Sequence, residues 1–113
     1  MKNSTLTLWK KGEPITPGDI AAIKQQQIPG FVFDSFNELI AKHYDGTQST
    51  FLQRDVTTLI SEAGNCSESY VYDNRWLDVE AVYERSGWKV EYDKPGFNED
   101  YPARFTFTPK NKR

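Results

Sequence analysis

WKVEYDKPGFNEDYPARFTFT, Trp88 to Thr108, reads as two strands joined by a long turn. Trp88, Val90 and Tyr92 alternate with Lys89, Glu91 and Asp93. Ala103, Phe105 and Phe107 alternate with Arg104, Thr106 and Thr108. Period-2 alternation presents one apolar face to a core, and the Pro, Gly and Asn between the runs favour a turn. The stretch therefore predicts a C-terminal hairpin with a projecting loop.

Upstream the period changes to that of helices. In ITPGDIAAIKQQQIPG, Thr16 suits an N-cap, Pro17 the first helical position and Asp19 the first turn. Ile20 and Ile23 are expected to face inward, and Pro29 and Gly30 to stop this short helix. FVFDSFNELIAKHYDG places Val32, Phe33, Phe36, Leu39, Ile40 and His43 on one helical face, with Gly46 as the stop. Leu52, Val56, Leu59, Ile60 and Ala63 form a second stripe. Thr50 with Gln53 suits a capping box starting that helix at Phe51; alternatively Ser49 to Leu52 is a very short strand and the helix begins later. Gly64 and Asn65 close it. RWLDVEAVYERSG then predicts a third helix, capped by Asp73 or Asn74, with Trp76, Val79, Val82 and Tyr83 inward. At the start, Thr5 to Trp9 alternates as a short strand would.

The expected fold is α+β and winged-helix-like: a three-helix core followed by a C-terminal β-hairpin wing, with an extra short N-terminal helix. The 113 residues make a single domain, with basic ends at 1–11 and 110–113 expected to be flexible.

The net charge of −2 conceals an asymmetry. Lys2, Lys10, Lys11, Lys110, Lys112 and Arg113 account for six of the 14 basic residues, and all 16 acids lie between Gly12 and Pro109. That body carries 8 − 16 = −8. It repels phosphate, so non-specific affinity for nucleic acid would have to come from the ends. No apolar run is long enough to cross a bilayer, and the single cysteine, Cys66, fits a reducing cytoplasm.

The segments IPGFVFDSFNELIAKHYDG, FLQRDVTTLI and WLDVEAVYERSGWKVEYDKPGFNEDYPARFTFT resemble small accessory proteins of tailed bacteriophages, over most of the chain from Ile28 onward. Those proteins carry no assigned activity, so the resemblance transfers no functional residue. It implies a phage-encoded accessory protein in the cytoplasm of the infected host.

The sequence carries no nucleophile–base pair, metal-ligand cluster or phosphate loop, which points to a non-enzymatic protein without catalytic residues, metal or cofactor. KPGFN lacks the spacing of a phosphate loop. Cys66 and His43 are each alone of their kind, so a zinc site would draw most ligands from carboxylates. A surface thiol and a partly buried histidine near a helix C-terminus are the simpler accounts. Glu99 and Asp100 fit a solvated loop better than acid–base chemistry.

Two binding readings follow. A protein interface would use Leu77, Ala81 and Glu84 on the third helix with Phe97, Glu99, Asp100 and Tyr101 on the wing. Aromatic anchors with a polar rim suit a protein partner, of host or phage, with a basic surface. The alternative, in which Phe97 and Tyr101 fold back as part of the core, stands beside it. Double-stranded DNA would instead need Asn74 and Arg75 at bases and Lys89, Lys94 and Arg104 at phosphates. Asp78 and Glu84 on the same helix disfavour DNA. Neither reading involves a membrane or a small-molecule substrate.

Overall fold

A computed structural model describes residues 11–110. The expected strand at Thr5 to Trp9 and most of the two basic ends lie outside these residues. Eight elements run in the order α1 (Pro17–Gln27), α2 (Gly30–His43), β1 (Ser49–Leu52), α3 (Gln53–Gly64), α4 (Glu68–Asp73), α5 (Glu80–Arg85), β2 (Trp88–Asp93) and β3 (Arg104–Pro109). Among the described residues the architecture is α+β, with five helices and one antiparallel sheet of order β1–β3–β2.

Local chemistry explains most boundaries. Thr16 Oγ1 accepts from Asp19 N at 3.1 Å while Asp19 Oδ2 accepts from Thr16 N at 2.9 Å, a reciprocal cap with Pro17 just inside it. The inward residue of α1 is Ala21 rather than Ile20, which is exposed. A small side chain lets α1 approach α5, where Ala81 lies opposite. On α2, Val32, Phe36, Leu39 and Ile40 are buried as the spacing predicts. His43, at the end of the helix, is exposed instead of buried, its ring 6.2 Å from that of Phe51. Asp45 then turns the chain, accepting from Thr47 N and Gln48 N at 2.8 and 2.9 Å. The Gln48 and Thr47 donors hold its carboxyl below the usual range.

Thr50 does not cap α3. It belongs to β1, where its hydroxyl meets that of Thr106 across the sheet at 3.1 Å, and the helix starts at Gln53. The short-strand alternative therefore holds. At the far end Asn65 takes the left-handed conformation (φ 53°), and Cys66 N bonds to Ser61 O, which closes the helix.

The expected third helix is two short ones. Asn74 ends α4 instead of starting a helix: its Nδ2 donates to Tyr70 O at 2.8 Å and its own N–H to the same oxygen at 3.1 Å. Arg75 follows at φ 57°, and α5 begins only at Glu80. The inward face was nevertheless read correctly. Val79, Val82 and Tyr83 are buried, and Trp76 packs edge-on against Phe31 and Tyr70.

The hairpin pairs as its alternation predicts, with Val90 opposite Phe107 and Tyr92 opposite Phe105. Phe107 and Phe105 project inward beside Phe51 and meet Phe36 from α2 and Tyr83 from α5. This aromatic cluster is the centre of the core.

The Tyr83 hydroxyl is a polar group set into that core. It donates to Asn37 Oδ1 at 2.6 Å, with the Phe33 carbonyl oxygen a second acceptor at 3.2 Å. Burial, helped by the negative charge of Asp34, pushes its ionisation well above the ordinary phenol value of 10.0. The folded protein thus keeps a proton that the unfolded chain gives up, so stability is whole below pH 10 and falls as pH rises above it. One such proton is worth up to about 1.4 kcal/mol per pH unit. Denaturant melts at about pH 9 and about pH 11 should show this fall. Tyr83→Phe should flatten it, leaving a smaller slope from Tyr92 and Tyr101, whose ionisations are also raised. An equal slope in both proteins would contradict the assignment.

Candidate protein interface

The loop expected to form a wing runs from Lys94 to Ala103 between β2 and β3. Its shape is fixed from within. Gly96 N donates to Glu99 Oε1 at 2.8 Å, and Glu99 N bonds back to Gly96 O at 3.2 Å. The Tyr101 hydroxyl lies 2.9 Å from both Asp93 Oδ1 and the Lys94 carbonyl oxygen, and bonding to Asp93 raises its ionisation. The Arg104 guanidinium lies 5.8 Å from the centre of the Tyr101 ring, within cation–π range.

The two wing aromatics therefore have different roles. Tyr101 turns back onto the loop and braces it. Phe97 is 100% exposed at the tip. Neither packs into the core. Glu99 and Asp100 are exposed beside Phe97 in the chain, so the tip is an apolar ring accompanied by carboxylates.

Behind the wing lies a cleft of about 330 Å³ between the inner face of the hairpin and the turn joining α4 to α5. Leu77, Val90 and Phe105 supply its apolar lining. Gln53 Nε2 donates to the Tyr72 hydroxyl at 3.3 Å, and the Tyr92 hydroxyl donates to Gln53 Oε1. Burial, and then the neighbouring Tyr72, raise the ionisation of Tyr92. Sequence reading missed Gln53, Tyr72 and Tyr92 because they come from three elements. The available signal was one tyrosine, Tyr72, with no place on an apolar stripe.

The structure does not bring the helix candidates to the wing tip. Leu77 packs against the core and lines the cleft. Ala81 and Glu84 lie at the groove between α5 and α1, where Glu84 O accepts from Lys110 Nζ at 2.7 Å. Lys24 of α1 pairs with Asp78, tying α1 to the turn before α5. The outward side of α5 is thus partly covered by α1.

The DNA candidates are scattered as well. Asn74 spends its amide on the end of α4, and Arg75 lines the cleft on the inner side of the sheet. Lys89 stands on the outer face, 3.7 Å from Glu91. Lys94 is exposed in the wing, and Arg104 lies against Tyr101. These five do not form one cationic surface.

Among the described residues, no group of three or more His, Cys, Asp or Glu is placed to hold a metal ion. No described helix is long and apolar enough to cross a membrane. Comparison of the chain with protein families, with curated proteins and with solved structures finds no match.

Proposed function

We propose that this chain is a non-enzymatic, winged-helix-like accessory module that binds a host or phage protein through its wing. The observation that carries the reading is Phe97, wholly exposed at the tip of a loop that Tyr101 and Glu99 brace from within. An aromatic side chain on a braced loop, with carboxylates beside it, costs little backbone entropy on docking and suits an apolar pocket rimmed by lysine or arginine. The winged-helix reading rests on β1, which follows α2 and pairs with β3, and on the α3-to-α5 region leading into the hairpin. DNA binding is the weaker reading, because α1 covers part of α5 and the cations are dispersed.

The test replaces Phe97 with a photo-crosslinking phenylalanine analogue in the full chain and irradiates it in bacterial lysate. The expected result is a crosslink to one basic protein. The contrary result is no crosslink, together with duplex DNA binding that survives physiological salt.

A further inference from the structure

The edge of β2 offers a site for a second copy of this chain. Gly87 O accepts from Lys110 N at 2.9 Å, and on the same register Lys89 lies opposite Thr108, Glu91 opposite Thr106 and Asp93 opposite Arg104. In an antiparallel ladder hydrogen-bonded pairs alternate, so these are the pairs that bond to β3. The bond from Gln53 N to Ala103 O gives the matching parity on the other side, where β3 turns the backbone groups of Phe105 and Phe107 toward β1. It follows that Trp88, Val90 and Tyr92 direct their N–H and C=O groups away from the sheet. Among the described residues these groups have no backbone hydrogen-bond partner. The opposite edge is shorter, and Tyr44 already bridges to Ser49 there.

We infer that two copies join β2 to β2 about a two-fold axis at Val90, forming a continuous six-stranded antiparallel sheet. The residue pattern selects this register. Antiparallel pairing that keeps the apolar faces together must place residues of like parity opposite one another. Centring on Glu91 would set that carboxylate against its own copy. Centring on Val90 sets Lys89 against Glu91 of the second copy, twice, on the outer face. It also sets Val90 against Val90 and Trp88 against Tyr92 on the inner face. Lys89 and Glu91 are both well exposed, with side-chain exposures of 64% and 59%, and are free to re-pair. Cross-strand opposite charges and aromatic pairs are the contacts that stabilise such a ladder, and a two-fold axis makes each count twice. Antiparallel joining sends the two wings to opposite ends of the sheet, which makes the assembly bivalent.

The experiment is sedimentation of the 113-residue chain up to about 100 μM at physiological salt. Lys89→Glu and Glu91→Lys should each weaken the dimer by about tenfold or more, since each turns both ion pairs into repulsions. Mixing these two variants should restore association, because every cross-strand pair is then complementary. In the dimer the amide hydrogens of Trp88, Val90 and Tyr92 should also exchange more slowly. A monomer throughout, or a dimer indifferent to both charge changes, would overturn the inference. So would a monomer of the 113-residue chain with those three amides already protected, because the chain itself would then occupy the edge.

Discussion

Phe107→Ala is expected to remove about 3–5 kcal/mol of stability, a large share of the about 5–15 kcal/mol that a folded domain commonly has. Phe107 has no exposed surface. Its ring stacks on Phe51 at 5.6 Å and meets Tyr83 edge-on at 5.1 Å, with Phe36, Trp88 and Phe105 at 6.0, 6.3 and 6.2 Å. These rings come from α2, β1, α5, β2 and β3, so the side chain is where nearly every layer meets. Truncation loses its transfer free energy and leaves a cavity that rigid aromatic neighbours cannot collapse to fill. The melting temperature should fall by about 15 °C or more, or the variant should be unfolded at room temperature. Phe107→Leu, which retains most of the volume, should cost markedly less. Calorimetry or denaturant titration decides the matter, and a loss below about 1 kcal/mol for the alanine variant would show that the core is centred elsewhere.

Why this core is legible in the sequence, while the break in the expected third helix is not, has a physical basis. Alternation in β2 and β3 and the stripe on α2 are repeated signals, set by burial on one face and carried by many residues. The Thr16–Asp19 cap is equally readable because both partners lie three residues apart. The split of the third helix depends on a single competition at Asn74. Its amide can cap the helix behind it or the helix ahead, and with Arg75 in the left-handed region it caps the one behind. The apolar spacing of Trp76, Val79, Val82 and Tyr83 is served by either outcome, so periodicity does not separate them. β1 is four residues long, too short for alternation to outweigh a helix-cap pattern at Thr50. Leu77 looked like an outward anchor on a continuous helix, and the break turns it onto the core. In the loop between the strands, polar surroundings leave both a projecting and a folded-back Phe97 open, and the structure exposes it. The partner of Tyr101 could not, because Asp93 lies eight residues away and meets it only once the loop has folded.

That internal bracing makes Phe97→Ala the most informative change on the surface. Because the side chain touches nothing that holds the fold, its removal should leave the melting temperature within about 2 °C of the native protein. Binding should respond very differently. An aromatic anchor seated in a partner's pocket commonly contributes about 2 kcal/mol or more, so affinity for the partner identified by crosslinking should drop by about 30-fold or more. Phe97→Trp should retain part of the affinity through its apolar area. Tyr101→Phe should weaken binding less than Phe97→Ala does, since it loosens the loop without removing the anchor. Raising the salt should also reduce affinity, because Glu99 and Asp100 attract a basic rim through screened charges. Calorimetric or surface-based titration of the four proteins against that partner gives the ranking directly. If Phe97→Ala binds as tightly as the native chain while remaining folded, the wing tip is not the contact. The cleft lined by Tyr72 and Tyr92 would then be the next surface to test, by Tyr92→Ala, because exposed aromatic rings and polar groups converge there too.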